Sequence, residues 1–197
     1  MKQDFNVIVA GIGGQGNILV SRIIGEAAIE FGYHVLIGET FGAGQRGGAV
    51  QSHIRLTKEK TYGPLIPEGF ADAVIGLEPF EALKCASKFL KPDGIIITNE
   101  YPIIPSDKNY PDFEKIFQFL KNISSKLYTI NGTKIALDIG DVATLNIVML
   151  GAAYATGVLP VKEEDIKKSI IEKLDKSSEL NLKAFEKGKK MIKENKR

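Results

Sequence analysis

The chain has 197 residues, 44% of them hydrophobic, and 26 basic against 24 acidic side chains for a net charge of +2. That length allows one sizeable core, and that balance implies neither nucleic acid nor an anionic membrane surface as partner. One cysteine (Cys85) and two histidines (His34 and His53) exclude an intramolecular disulfide framework and an iron–sulfur cluster held by this chain alone, and they argue against a His-rich metal site.

Phe5 to Ala10 is an apolar, β-rich run of the kind buried in a parallel sheet. The N-terminal stretch reads as this strand, not as a signal peptide. GIGGQG follows, and then a segment with helical spacing that stops at Gly32. His34 to Gly38 reads as a second strand, Val50 to Leu56 as a third that is half-exposed, and Ala71 to Leu77 as a fourth. Pro79 to Leu90 has proline in its first turn and reads as a helix. Pro92-Asp93-Gly94 marks a turn before the buried strand Ile95 to Thr98. The proline-rich stretch Tyr101 to Pro111 is an extended connection. Beyond it come a helix at Phe113–Ile123, a short strand at Lys126–Ile130 and a buried helix at Asp141–Thr156. Two lysine-rich amphipathic helices, Glu163–Leu174 and Leu180–Asn195, close the chain, and Lys183, Lys187, Lys189, Lys190 and Lys193 read as a solvated face. The longest apolar stretch, Val142 to Thr156, is too short to span a bilayer and contains Asn146, so a soluble, cytoplasmic protein is expected. The alternation predicts a single α/β domain over residues 1–197: a Rossmann-like, mostly parallel sheet flanked by helices, with helices at the C-terminus.

Two glycine-rich stretches carry the functional signal. Gly11-Ile12-Gly13-Gly14-Gln15-Gly16 lies between a strand and a helix, where glycines permit a tight turn and helix amides face a phosphate. Glu39, at the end of the second strand, is placed to meet a ribose in a dinucleotide site. The second stretch, GETFGAGQRGGAV, presents Gln45 and Arg46 beside Gly47 and Gly48, an arrangement that suits an anion-binding concavity. An arginine here fits a phosphate, a carboxylate or another protein chain better than it fits a nicotinamide dinucleotide. His53 and Cys85 read as buried structural groups, and Asn146 must be paired in the core or at an interface. No nucleophile–base pair and no metal-ligand set stands out, which points to a subunit that holds a ligand while a partner does the chemistry.

GIGGQGNILVSRIIGEAA, ETFGAGQRGGAVQSHIRL, GPLIPEGFADAVIGLEPFEAL, TNEYPIIP and LNIVMLGAA together resemble the gamma-type component of 2-oxoacid:ferredoxin oxidoreductases, from about Val7 to Gly188. QRGG, where pyruvate and 2-oxoglutarate relatives tend to carry MRGG, points to the indolepyruvate branch. The resemblance implies that an aryl 2-oxoacid, coenzyme A and oxidised ferredoxin give an acyl-CoA, CO2 and reduced ferredoxin. It implies a hetero-oligomer whose larger alpha subunit carries thiamine diphosphate and the iron–sulfur clusters, with a homodimer possible in isolation. Coenzyme A is then a substrate at a crevice shaped by Gly11, Gly13, Gly14, Gln15, Gly16, Gln45, Arg46, Gly47 and Gly48. The rival expectation is a stand-alone NAD(P)-dependent oxidoreductase that uses Glu39. A third is an interaction module whose glycine loops serve docking only.

Overall fold

The computed structural model describes residues 4–42, 48–59, 63–104 and 110–194. Six strands form one sheet in the order β2-β3-β1-β4-β5-β6, with β1 at Phe5–Ile12, β2 at His34–Phe41, β3 at Ala49–Thr57, β4 at Ala71–Gly76, β5 at Leu90–Asn99 and β6 at Leu127–Ile130. β1, β4, β5 and β6 pair in parallel, while β3 runs antiparallel to both β1 and β2. The second and third strands therefore make a hairpin whose inner strand lies against β1. In β5, Ala71 pairs with Leu90 and Ala73 with Ile95, so the expected Pro92–Gly94 turn appears as a bow out of the ladder.

Alternation along β1 assigns its two faces to two apolar clusters. Val7 and Val9 join Ile54, Ile75 and Ile97 beneath α1 (Asn17–Glu30) and α5 (Leu145–Ala155). Ile8 and Ala10 join Val74 and Ile96 beneath α2 (Pro79–Phe89) and α3 (Phe113–Ile123). β3 is not half-exposed, as its pattern suggested. Ser52 and His53 point to opposite faces, and both are buried because this interior strand is covered on both sides. His53 is the expected structural histidine: its Nδ1 accepts from Ile66 N at 3.2 Å, and burial holds its pKa down.

The sequence reading missed one helix, α4 (Gly132–Ile139), which Asn131 caps by accepting from Lys134 N. It also merged a single 3₁₀ turn, Val142–Thr144, into α5. The remaining helices are α6 (Glu163–Leu174) and α7 (Ser178–Glu194), and α7 packs on α5. Lys189 departs from the solvated lysine face, pairing with Glu163 at 2.7 Å and Glu186 at 2.8 Å. Glu163 also meets Lys167 at 2.6 Å, and the hydrogen bonds from Lys167 and Lys189 pull its carboxyl down to about 2. These pairs tie α6 to α7.

Candidate functional site

β1 ends at Ile12 and α1 begins at Asn17, so the chain reverses within Gly13–Gly16. Gly14 (φ 97°) and Gly16 (φ 84°) supply the left-handed backbone this requires. Gln15 folds back over the turn: Oε1 accepts from Ile12 N at 2.7 Å, and Nε2 donates to Leu77 O at 3.1 Å. Gly11 leaves room for it, since a Cβ there would lie 2.7 Å from that Oε1. Asn17, at the head of α1, is buried and donates to Val50 O at 3.1 Å. On the hairpin side Gly13 N donates to Gly48 O at 2.9 Å, and Ile12 pairs with Ala49. The glycine turn and the ends of the β2–β3 hairpin thus lie side by side at the carboxyl end of β1. Gln45, Arg46 and Gly47 lie outside the described residues.

The same geometry removes the basis for a dinucleotide site. Glu39 pairs with Ser52, and Ser52 with Val9, so Glu39 is level with the middle of β1. It is also two strand spacings away, roughly 10 Å across the sheet. In the expected arrangement the second strand would adjoin the first, and its terminal carboxylate would reach the glycine turn. β3 occupies that place instead. Two of the turn's amides, Ile12 and Gly13, are already bonded within the chain.

Asn99 ends β5 and was not singled out by motif. It is buried and donates to Leu77 O at 3.2 Å and Thr133 Oγ1 at 3.0 Å, while its Oδ1 accepts from Thr133 N. Leu77 O therefore receives both Gln15 and Asn99, stitching together the ends of β1, β4 and β5. A polar residue directly after Ile95–Thr98 was the available signal. Removing Gln15 tests the stitch. Gln15→Ala should lower unfolding free energy by about 1–2 kcal/mol and speed hydrogen exchange at the Ile12 amide. Unchanged exchange there would show the turn is held by other means.

Between the turn and the helices beyond β5 opens a cleft of about 530 Å³. Leu19, Tyr101, Ile103, Leu145 and Leu174 give it apolar walls, and Asn146 and Asn181 reach it from α5 and α7. Asn146, expected to be paired in the core or at an interface, lines this cleft. Ile103 is held there by Glu78, whose buried carboxylate accepts from Glu81 N at 2.8 Å, from the Ile103 amide and from the Tyr110 hydroxyl.

As a donor set for metal the chain offers little. Cys85 is buried, and burial followed by the nearby Glu81 charge pushes its thiol up to about 12. No group of three or more His, Cys, Asp or Glu side chains that could hold a metal ion occurs among the described residues. None of the helices among the described residues is long and apolar enough to cross a membrane.

Residues 6–191 match the model of the pyruvate ferredoxin/flavodoxin oxidoreductase family. The chain belongs to this family. Among family relatives, the indolepyruvate oxidoreductase subunit IorB of Archaeoglobus fulgidus is 38% identical, with 93% of this chain and 92% of that one covered. Subunit IorB of Thermococcus kodakarensis is 35% identical over 98% of each chain. The crystal structure of the keto/oxoacid ferredoxin oxidoreductase gamma subunit from Geobacter sulfurreducens has the same fold. It superposes with a TM-score of 0.71 at 27% identity, covering 95% of this chain and 98% of that one. The family resemblance read from these motifs together is borne out, and the chain is an oxidoreductase component with the mixed, mostly parallel sheet of the gamma-type fold.

Proposed function

We propose that the chain is the smaller subunit of a cytoplasmic 2-oxoacid:ferredoxin oxidoreductase acting on aryl pyruvates, indolepyruvate foremost. All 197 residues serve as one gamma-type domain. A larger alpha subunit carries thiamine diphosphate, which supplies the decarboxylation chemistry, and the iron–sulfur clusters that pass electrons to ferredoxin. The sole thiol here, buried and held far from ionisation, supports placing the clusters in that partner. This chain contributes the crevice between the glycine turn and the hairpin connection, where Gly11–Gly16 and Gln45–Gly48 hold phosphates of coenzyme A.

The observation that carries this reading is the bond from Gly13 N to Gly48 O. It brings Gly48, the last residue of the QRGG motif, against the glycine turn at the carboxyl end of β1, and doubly wound sheets bind ligands at such ends. The two IorB relatives carry the choice of aryl substrate.

Native purification through a tag on this chain tests the proposal. A large co-purifying subunit, a brown reducible absorbance and ferredoxin reduction with indolepyruvate and coenzyme A are expected. A colourless chain without a partner would overturn it. In the assembled enzyme Arg46→Ala should raise the KM for coenzyme A about tenfold, equivalent to about 1.4 kcal/mol, with a smaller change in the KM for the 2-oxoacid. An assembled variant with unaltered kinetics would remove Arg46 from the crevice.

A further inference from the structure

The cleft shares Gly14, Gln15 and Gly16 with the proposed coenzyme A crevice and adds Asn146 and Asn181, which that crevice does not use. Asn146 is 4% exposed, and its amide orientation is fixed because Oδ1 accepts from Ile147 N at 2.8 Å. Its Nδ2 lies against Gly16, where a Cβ would come within 2.0 Å, and it has no hydrogen-bond partner among the described residues. Asn181 is 6% exposed and equally fixed, with Nδ2 donating to Ser177 O at 2.9 Å. Its Oδ1 is an acceptor without a partner among the described residues, in the wall of the same cleft. The amino end of α1, which opens at Gly16, has no side-chain cap. Both side chains are more than nine-tenths buried, yet neither free atom is fully shut off from solvent, so each can meet a partner that enters the cleft.

Charge decides what that partner is. Among the described residues the cleft has no lysine, arginine or histidine in its walls, and Asp141 lines it. A helix amino end carries about half a positive charge. With the Asp141 carboxylate engaged by Ala143 N at 2.8 Å, this partial charge and the neutral donors suit a single negative charge, not the multiple charges of a nucleotide. Most of the cleft's wall is apolar, so the rest of the ligand is apolar as well.

We infer that the cleft binds a monocarboxylate whose compact apolar body carries an N–H or O–H donor. The carboxylate accepts from Asn146 Nδ2 and the α1 amino end. The body lies among Leu19, Ile103, Leu145 and Leu174, and its donor meets Asn181 Oδ1. Aryl acids with an indole or phenol ring have this chemistry, and the choice of ring rests on the proposed function. This subunit would then hold aryl acid at a place separate from the partner's thiamine diphosphate.

The chain contains no tryptophan, so the fluorescence of an added indole is seen without an indole background from the protein. Indole-3-acetate lacks the 2-oxo group and is not consumed by oxidative decarboxylation of a 2-oxoacid. Its anisotropy should rise saturably on titration with the full chain. Asn146→Asp keeps the acceptor for Ile147 N but replaces the donor with a negative charge, and it should weaken binding at least about tenfold. Asn181→Leu should weaken indole-3-acetate several-fold while leaving naphthalene-acetate, which has no N–H, nearly unchanged. Thermal melts of both variants exclude misfolding as the cause. Absence of saturable binding to the wild-type chain, full affinity in a folded Asn146→Asp variant, or displacement by equimolar ADP would each overturn the inference. If indole-3-acetate fails to bind while the tagged complex oxidises aryl pyruvates, the site is lost and the proposed function stands. If it binds in a chain whose complex oxidises only pyruvate, the site stands and the aryl substrate is lost.

Discussion

Gly188→Ala is expected to destabilise the chain by at least about 3 kcal/mol, a large part of the 5–15 kcal/mol typical of a domain. The cause is backbone contact where α5 crosses α7. A Cβ on Gly188 would lie 1.9 Å from Val148 O, and one on Gly151 would lie 2.1 Å from Phe185 O. Neither obstacle is a side chain that can rotate away, so the helices themselves must separate. One of the two, α5, is buried along most of its length, so their separation disturbs the core. For a chain of this size the melting temperature should fall by roughly 10 °C. Gly151→Ala should do the same. Gly63→Ala is the control, because it faces open space without a positive φ and should stay within about 0.5 kcal/mol of wild type. Thermal melts of the three variants decide the matter, and a Gly188→Ala chain as stable as the control would refute the close crossing.

Removing the Glu78 carboxylate should be nearly as costly. Glu78→Ala leaves the Glu81 amide, the Ile103 amide and the Tyr110 hydroxyl without their acceptor, a loss of about 3 kcal/mol. Urea unfolding at neutral pH measures it, and a change under about 0.5 kcal/mol would sink the idea. The wild-type side chain also makes stability depend on pH. Desolvation raises its pKa above the ordinary carboxylate value. Tyr110 and the two amides pull it down, and the neighbouring Glu81 charge adds to the rise. The folded chain therefore keeps a proton on Glu78 at pH values where the unfolded chain has lost it. Stability from this group is greatest below the ordinary carboxylate pKa and falls as pH rises through the raised one. Glu78→Gln removes that slope while retaining an acceptor, so its unfolding free energy should be flatter across mildly acidic pH than that of the wild type.

Much of the fold was legible because its signals are local. Phe5–Ala10, GIGGQG and the helix after it declare a strand, a turn and a crossover within three dozen residues. The direction of β3 was not legible, since periodicity is the same for parallel and antiparallel strands. Its exposure was misread because VQSHIRL alternates polar and apolar residues, although His53 on the polar side is buried against Phe89 and Ile66. The glycine turn was found by spacing, and its partnership with the hairpin follows from Gly48, which the sequence reading had already placed nearby. Asn99 and Asn181 escaped notice because a single asparagine carries no motif, and their partners are contributed by tertiary packing.

The meeting of Asn146 with Gly16 gives the cleft two walls of different origin. One is made by β1, α1 and the hairpin, whose ladders all form within the first 57 residues. The other needs α5 and α7 brought back across most of the chain, and contacts between distant segments carry the larger loop-closure cost. The glycine turn can thus be shaped as soon as its own neighbourhood folds. The pocket beside it exists only after the last helices have docked, so an incomplete chain would present the motif without the cavity.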